Sequence, residues 1–289
     1  MKIQETHIVP AISENIRLQE YAVSIFSTIQ SRSGLKKAIK KGLILINGQK
    51  AKTGDWIKEG QKIELLQPDI PNKKIFKLDF EVLFEDEHIA LIHKPAGFST
   101  SGNFFKTIEN ALPHNLKRST KPDALPFPLP AHRLDNPTAG ILICAKTTSS
   151  LLRLQKNLAE RKIQKVYYAL VHGKLWKDLR LDSEIEEKPS ITLVSPLKFF
   201  KINEELYTLV EAKPLTGRTH QIRIHLSEFE HPIVGDEVYG NEETGYFAHK
   251  NLYLYSGGVS FSHPVTEEAI EVESRLPKRF RNLSNYRVY

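Results

Sequence analysis

Apolar residues in the first quarter of the chain recur at two different periods, which predicts helices and strands in one small unit. Between residues 17 and 26 the spacing is helical, and a second helix is predicted over Leu35–Lys41 with a serine cap before it. The apolar run at 43–46 predicts a strand. The Asn47-Gly48 pair that follows this run is the strongest short signature of a tight hairpin turn.

Beyond residue 74 the apolar runs are longer, which predicts a larger sheet. Helices are predicted over residues 107–112 and 151–161. The stretch 214–226 fits a helical and a strand period equally well, so both assignments stay open. The proline-rich stretch 113–130 is predicted to be a long loop. Strands are predicted at 82–84, 89–92, 141–145, 165–173, 206–212 and 270–272.

A polar, proline-bearing stretch at residues 67–74 separates the two patterns and predicts a linker. The length of 289 residues suits two domains, taking roughly 150 residues for each. We therefore expect a small domain over residues 1–68 and a larger domain over residues 69–289.

Positive charge concentrates in the small domain. The chain has 41 Lys and Arg residues against 34 Asp and Glu residues, with a net charge of +7 and a pI near 9.2, which is typical of nucleic-acid binders. The second predicted helix keeps lysines four residues apart, although like charges at that spacing cost a helix about 0.2–0.5 kcal/mol per pair. An anionic partner relieves that repulsion, so we expect RNA or DNA to bind this helix. The candidate binding residues are Arg32, Lys36, Lys37, Lys40 and Lys41.

Several classes of chemistry lack the residues that they need. Cys144 is the single cysteine and lies in an apolar run, which excludes an internal disulfide and a cysteine zinc cluster. His220 and His225 lie five residues apart without an HExxH pattern, and no glycine-rich phosphate loop occurs, so we expect neither a metal nor a cofactor. Without a secretory pattern or a run of about 18 apolar residues, we expect a cytoplasmic protein with no membrane segment.

The segment Ala131–Gly140 carries the best candidate for catalytic chemistry. It places Arg133 and Asp135 two residues apart, between a proline-rich stretch and the apolar run at 141–145. Catalytic groups concentrate where an irregular segment meets a rigid core. The alternative is an ordinary surface pair of arginine and aspartate, because such pairs are common and contribute little.

The small domain carries a recognisable order of motifs. Arg17-Leu18, a helix that opens at Ser31-Arg32-Ser33, the run 42–48 and the segment Lys58–Ile63 follow one another. Over residues 15–66 this order resembles the small RNA-binding domain first known from ribosomal protein S-four. The chain departs from it at Gln19-Glu20, where that domain usually carries Asp-Lys. The resemblance implies a small α+β domain that binds RNA.

Four further motifs follow in order along the larger domain. They are Lys94-Pro95-Ala96-Gly97, then His132–Asp135 with Thr138 and Gly140, then Lys165-x-Tyr167 with Ala169 and Gly173, then Gly217–Arg223 with Gly235-Asp236 and Tyr239-Gly240. Over residues 80–275 this ordered set resembles the RluA family of pseudouridine synthases. The chain departs from the family at residues 136–140, where Asn-Pro-Thr-Ala-Gly replaces a charged residue, an aspartate and Thr-Ser-Gly.

The resemblance implies an α+β fold in which a mixed, mainly antiparallel sheet and its helices surround an RNA cleft. It implies a monomeric RNA pseudouridine synthase that isomerises uridines of ribosomal or transfer RNA without a cofactor or a metal. Asp135 is then the nucleophile, Arg223 pairs with it through the guanidinium fork, and Tyr167 stacks on uracil and assists proton transfer. Arg133 fills the space of the extracted nucleotide, and Ile222 forms a wall of the base pocket.

Two alternatives use the same residues. A non-catalytic RNA-binding or ribosome-assembly factor shares the fold without the reaction, and a basic hydrolase shares the Asp/Arg pair. Pseudouridine formation excludes the first alternative, and release of free uracil identifies the second. The sequence assigns no role to His132, Lys165 or His220.

Overall fold

A computed structural model describes residues 2–66, 73–240, 247 and 250–288, apart from residues 13, 24, 30, 203 and 286. The chain divides into two compact units, one from Met1–Lys73 with Thr120–Pro126 and one from Lys74–Ser119 with Phe127–Tyr289. Residues 67–72 of the predicted linker lie outside the described residues, so the expected division after residue 68 stays a prediction.

The smaller unit is an α+β arrangement built on a four-stranded antiparallel sheet. The strand order is β1-β6-β3-β4, and β2 pairs with β5 beside it. The elements are β1 (Ile3–Ile8), β2 (Ile16–Arg17), α1 (Leu18–Tyr21), α2 (Arg32–Lys40), β3 (Ile44–Ile46), β4 (Gln49–Lys50), β5 (Trp56–Ile57) and β6 (Lys62–Leu66).

Local signals in the smaller unit predicted its turns better than its first helix. Asn47 and Gly48 have φ angles of 51° and 80°, the two positive values that a type I′ hairpin turn requires. The Ser31 hydroxyl caps α2 by accepting a hydrogen bond from the Gly34 amide at 3.1 Å. The helix predicted over residues 17–26 is wrong in extent, because only one turn forms. The apolar positions Leu18, Ala22 and Phe26 are nevertheless buried, since turns bring them to the same core.

The larger unit is organised around an 11-stranded sheet. Its main strand order is β12-β13-β14-β11-β15-β10-β8-β7, with β16 beside β15, β17 beside β13 and β9 beside β10. β10 and β15 run parallel, and the other pairs of the main order whose register is defined run antiparallel. The mixed, mainly antiparallel sheet and the α+β class are therefore confirmed.

Six strands and two helices of this unit were expected close to where they occur, and several other elements were not. The strands are β7 (Val82–Glu85), β8 (Ile89–Lys94), β9 (Ala124–Pro130), β10 (Ala139–Thr147), β11 (Gln164–His172), β12 (Leu179–Leu181), β13 (Thr192–Ile202), β14 (Glu205–Pro214), β15 (Leu254–Ser262), β16 (Ala269–Glu273) and β17 (Arg287–Val288). The helices are α3 (Ile108–Asn115), α4 (Thr148–Ala159), α5 (Gln221–Glu228) and α6 (Lys278–Arg281), with a 3₁₀ turn at Asn282–Asn285.

Strand β10 fixes the position of the segment that precedes it. All nine of its residues are buried, which is why the sequence shows an uninterrupted apolar run. At its start, Gly140 has a φ of +122°, and a Cβ atom there would lie 2.1 Å from the carbonyl oxygen of Ser256 on β15. Only glycine allows this approach, so the 131–138 segment enters the sheet at one defined point.

The predicted loop over residues 113–130 is wrong, because α3 continues to Asn115 and β9 forms. Pro126, Pro128 and Pro130 alternate along β9, so their missing N–H groups all fall on one side of the strand. Among the described residues, β9 pairs with β10 on one side. The other side of an edge strand faces no neighbouring strand, so it needs no backbone N–H donors. Alternating prolines are therefore compatible with an edge strand.

Other differences have physical causes as well. The stretch that periodicity left open contains helix α5. Strand β13 was not predicted, because Pro196 and a bulge between Pro196 and Lys198 interrupt its alternation, although it pairs with β14 over its length. Within the basic segment Lys278–Arg281, Phe280 is buried and its ring centroid lies 5.4 Å from that of Tyr253. In the described part of the chain, no helix is both long and apolar enough to cross a membrane.

Candidate active site

The larger unit contains a cavity of about 470 Å³ beneath the segment that carries Asp135. Its walls come from that segment, the start of β11, the end of β14, the loop after β14 and helix α5. The five residues to which the sequence assigned chemistry all line it: Asp135, Tyr167, Arg223, Arg133 and Ile222. The structure therefore brings together positions that lie up to 90 residues apart in the chain.

Asp135 lies in a short turn that is fastened to its surroundings on both sides. The Thr100 hydroxyl accepts a hydrogen bond from the Leu134 amide at 3.0 Å and donates one to the Leu134 carbonyl at 2.9 Å. The Thr138 amide donates to the Asp135 carbonyl at 3.1 Å. The Asp135 side chain is 18% exposed, so the carboxylate is accessible from the cavity while its backbone is held in place.

Arg223 does not pair with Asp135 through its guanidinium fork, and this expectation is wrong. The fork faces Asp236 instead, with Nε and Nη2 each donating a hydrogen bond of 2.7 Å to its two carboxylate oxygens. Only Nη1 faces Asp135, at 3.7 Å from Oδ2. A bidentate pair fixes the plane of a guanidinium, so Asp236 orients Arg223 and leaves one edge of it for Asp135.

Asp236 is itself held by the backbone. Its Oδ1 accepts hydrogen bonds from the amides of Val238 at 3.0 Å and Tyr239 at 3.1 Å. Burial alone raises the pKa of Asp236, but the hydrogen bonds from Arg223 and from these amides hold it below its ordinary value. The pair therefore carries a fixed negative and a fixed positive charge behind Asp135.

Lys94 adds a second cation beneath the Asp135 turn. Its side chain is fully buried, and Nζ donates to the carbonyls of Thr138 at 2.8 Å, Pro95 at 3.1 Å and Asn136 at 3.2 Å. Burial lowers the pKa of Lys94 to about 8, although the nearby Asp135 carboxylate raises it in part. Lys94 thus ties both ends of the turn together and places positive charge near the carboxylate.

The two adjacent tyrosines of β11 have different environments. Tyr167 is 7% exposed and lines the cavity, opposite Ser256 of β15. Burial raises the pKa of Tyr167, and the Asp135 charge raises it further, so its hydroxyl stays protonated. Tyr168 points to the other face, where its ring covers Gly257. A protonated phenol suits stacking and hydrogen-bond donation better than the removal of a proton.

His220 is a site residue to which the sequence assigned no role. It precedes α5 in the left-handed region, with a φ of 56°, and its Nε2 lies 3.8 Å from Asp135 Oδ1. Its Nδ1 hydrogen bonds to the Tyr239 hydroxyl at 3.0 Å, and the Tyr239 ring centroid lies 5.1 Å from the Arg223 guanidinium carbon. Asp135 therefore faces a histidine and an arginine that share one tyrosine as a neighbour.

His132 and Lys165 lie in the same cavity and serve different purposes. His132 Nε2 accepts a hydrogen bond from the Ile143 amide at 3.1 Å, which fastens the segment to β10. Burial, with a smaller contribution from the charge of Lys165, lowers the pKa of His132 to about 3. Burial also lowers the pKa of Lys165. His132 is thus a neutral structural acceptor, whereas Lys165 brings a cation to the cavity wall.

Four of the five predicted RNA-binding residues lie on helix α2 of the smaller unit, and Lys41 directly follows its last residue. Leu35, Ala38 and Ile39 form the buried face of this helix. Arg32 and the four lysines are exposed on the opposite side, and within the described ranges none of them forms an ion pair. The helix therefore presents uncompensated positive charge.

No cluster of three or more His, Cys, Asp or Glu residues with the geometry to hold a metal ion occurs in the described part of the chain. Asp135 and Asp236 instead face nitrogen atoms of arginine and histidine. The Asp135 carboxylate thus lies beside the Arg223 guanidinium and the His220 ring.

Comparison with known proteins gives a consistent result. The chain matches the family model described as RNA pseudouridylate synthase over residues 88–228, which contain Asp135, Tyr167 and Arg223. It is 32% identical over 284 residues to ribosomal large subunit pseudouridine synthase C of Vibrio parahaemolyticus, covering 86% of each chain. It is 31% identical over 274 residues to ribosomal large subunit pseudouridine synthase D of Xylella fastidiosa, covering 86% of this chain and 82% of that protein.

A solved structure shares the fold. Human RNA Pseudouridylate Synthase Domain Containing 1 aligns with a TM-score of 0.60 and 22% sequence identity, covering 73% of this chain and 89% of that chain.

Proposed function

This chain belongs to the RluA family of RNA pseudouridine synthases, and we propose that it isomerises a uridine of ribosomal RNA with Asp135 as the nucleophile. The convergence of Asp135, Arg223 and Tyr167 on one cavity carries the proposal. Ribosomal RNA is favoured over transfer RNA because both relatives described above carry names that refer to the large ribosomal subunit.

The isomerisation needs a group that can attack the substrate and later leave. The bond from ribose C1′ to uracil N1 breaks, the base turns within the site, and a bond from C1′ to C5 forms. One proton leaves C5 and one is added at N1, so no cofactor or energy source enters the balance. A carboxylate suits this task, because its covalent adduct divides one difficult step into two easier ones.

Two cations lie near the Asp135 carboxylate. Arg223 at 3.7 Å and the buried Lys94 offset the penalty that burial imposes on a negative charge. Because Asp236 occupies the guanidinium fork of Arg223, the cation stays near Asp135 without closing over it. The nucleophile is therefore stabilised by charge while its oxygens stay available to the substrate.

The remaining cavity residues hold the nucleotide. Tyr167 stacks on the uracil and donates a hydrogen bond through its protonated hydroxyl, and Ile222 forms an apolar wall beside it. Arg133 is exposed at the margin of the cavity, where it fills the space that the extracted uridine leaves in the RNA. Extraction of a stacked base costs a few kcal/mol, which such a replacement offsets in part.

The smaller unit increases the affinity for RNA. Arg32, the three lysines of α2 and Lys41 at its C-terminal end are exposed and offer phosphate contacts. We assign them to RNA binding by an accessory domain of the type first known from ribosomal protein S-four, spanning residues 1–68 beside a catalytic domain over residues 69–289. The enzyme works as a monomer in the cytoplasm, without a metal.

Pseudouridine mapping across total RNA tests the proposal. We compare cells that contain the gene, cells that lack it and cells that carry the Asp135→Ala variant. The proposal predicts at least one ribosomal uridine that is modified only in the first strain. A change confined to transfer RNA contradicts the substrate assignment. Unchanged pseudouridine in every RNA favours the non-catalytic alternative, and free uracil in place of pseudouridine favours a hydrolase.

A further inference from the structure

The loop at residues 101–106 exposes two consecutive phenylalanines near the start of α3. Phe104 is 70% exposed and Phe105 is 49% exposed, whereas most large apolar side chains of this unit are buried. Asn103 and Lys106 on either side of them are also exposed. None of the roles proposed above uses these side chains.

The backbone of this loop is held firmly, so the exposure of Phe104 is built into the fold. The Asn110 side-chain amide donates to the carbonyls of Phe104 at 3.1 Å and Phe105 at 3.0 Å. The Phe105 ring packs edge to face on Phe76 with centroids 5.7 Å apart. Phe105 thus anchors the loop, and Phe104 stands out from it.

The same loop is joined directly to the turn of the nucleophile. Thr100 exchanges two hydrogen bonds with Leu134, the neighbour of Asp135. The Asn136 side-chain amide donates to the Ser99 hydroxyl at 3.4 Å. Four residues span at most about 14 Å, so the Phe104 backbone lies within that distance of Thr100. The loop that carries Phe104 is thus tethered to the turn through Ser99 and Thr100, and Phe104 is not among the residues that line the cavity.

We propose that Phe104 is a stacking platform for a base of the RNA next to the uridine that enters the cavity. The proposal rests on the proposed function, because it takes RNA as the substrate. Extracting one nucleotide leaves its neighbours with an unstacked face, and an exposed aromatic ring fixed near the site covers such a face. Lys106 supplies a positive charge for the adjoining phosphate.

A base fits this platform better than a protein surface does. Phe104 is one ring between polar and charged neighbours, with Asn103 on one side and Lys106 beyond Phe105, whereas protein interfaces bury a contiguous apolar patch. Stacking of a base on an aromatic side chain tolerates any base, so the platform contributes affinity and positioning.

The test measures binding of a 12-nucleotide oligouridine and of a 12-unit ribose-phosphate chain without bases to the full-length protein. Phe104→Ala is expected to weaken oligouridine binding by about fivefold to a hundredfold, the range for loss of one stacked base. The same variant leaves binding of the abasic chain unchanged, and Phe104→Trp restores oligouridine binding. Trp176→Ala removes another exposed aromatic, 72% exposed, and serves as the matched control with unchanged binding.

Four outcomes overturn the platform: no binding of oligouridine by the wild-type protein, equal effects of Phe104→Ala on both probes, equal losses from Trp176→Ala, or no recovery with Phe104→Trp. Binding needs no turnover, so the result is separate from the test of the proposed function. A wild-type protein that forms pseudouridine but binds oligouridine independently of Phe104 overturns the platform alone. A protein that forms none yet shows the base-dependent effect retains the platform and loses the proposed function.

Discussion

Asp236→Asn tests how the guanidinium at the active site is held. Arg223 and Asp236 are 4% and 2% exposed and share two hydrogen bonds of 2.7 Å. Opposite charges about 4 Å apart interact by roughly 4 kcal/mol at an effective dielectric constant near 20. Asparagine keeps one acceptor oxygen but leaves the buried cation without its charged partner, which costs about 3–5 kcal/mol. We expect the free energy of unfolding to fall by that amount.

The same substitution affects turnover. In the variant, Asp135 is the carboxylate that remains beside Arg223. Its Oδ2 lies 3.7 Å from Nη1 in the wild-type structure, and without Asp236 the guanidinium is free to turn toward it. A direct hydrogen bond between charged groups contributes about 1.5–3 kcal/mol and occupies the nucleophile before the reaction. We therefore expect kcat to fall by about tenfold to a hundredfold in the protein that remains folded.

Urea unfolding and single-turnover pseudouridine formation measure the two effects. Asp182→Asn is the matched control, because Asp182 pairs with Arg180 at 3.7 Å and both side chains are more than half exposed. An exposed pair of this kind contributes about 0–1 kcal/mol, so the control keeps its stability and its turnover. If Asp236→Asn loses no more stability than Asp182→Asn and keeps the wild-type kcat, the assigned role of Asp236 is wrong.

The remaining predictions concern the cavity, the sheet and helix α2. Tyr167→Leu removes the stacking face and should lower kcat/KM by about fivefold to a hundredfold, whereas Tyr168→Leu on the other strand face should leave turnover unchanged; equal effects would refute the assignment. Gly140→Ala places a Cβ 2.1 Å from the Ser256 carbonyl oxygen and should cost at least about 1–3 kcal/mol, so an unchanged melting temperature would contradict the close approach. Burial lowers the pKa of Lys94 from 10.5 to about 8. Between about pH 8 and pH 10.5 the Lys94 amine is therefore protonated in the unfolded chain but largely neutral in the folded protein, so this group makes the free energy of unfolding rise with pH. The rise amounts to at most about 1.4 kcal/mol per pH unit. Lys94→Met should remove this rise, which urea unfolding measures between about pH 8 and about pH 9.5. If the free energy of unfolding depends on pH equally in the variant and in the wild-type protein, the lowered pKa of Lys94 is wrong. Replacing Lys36, Lys37, Lys40 and Lys41 by glutamine should reduce the slope of log Kd against log salt by up to about 3.6, since each phosphate contact contributes about 0.7–0.9; an unaltered slope would exclude this segment from the RNA interface.

Much of the fold could be predicted because local residues determine it. Strands β8 and β10 are buried on both faces, which leaves an uninterrupted apolar run in the sequence. The turn at Asn47-Gly48 needs two positive φ angles, which restricts its residues strongly. β9 was missed because the meaning of alternating prolines depends on whether a strand lies at an edge, and the sequence does not show which strands neighbour each other.

The residues of the candidate site could also be predicted only in part. Asp135, Tyr167 and Arg223 were identified by family motifs, and all three line the cavity. The wrong carboxylate was predicted as the partner of the Arg223 fork. Asp135 and Asp236 both lie near this guanidinium, and their distances from it depend on how α5 packs against the loop that follows the helix. Asp236 stood within the Gly235-Asp236 motif, so a second carboxylate near the arginine was the available signal.

Pseudouridine formation by Asp135→Asn on ribosomal RNA from cells that lack the gene tests the central claim most directly. Asparagine keeps the size and the hydrogen-bonding oxygen of the side chain but removes its negative charge, so folding and RNA affinity should match the wild-type protein. We predict that the wild-type enzyme converts its target uridine while the variant binds the RNA and forms no detectable pseudouridine. Conversion by the variant at a rate near that of the wild-type enzyme would show that this carboxylate is not the nucleophile.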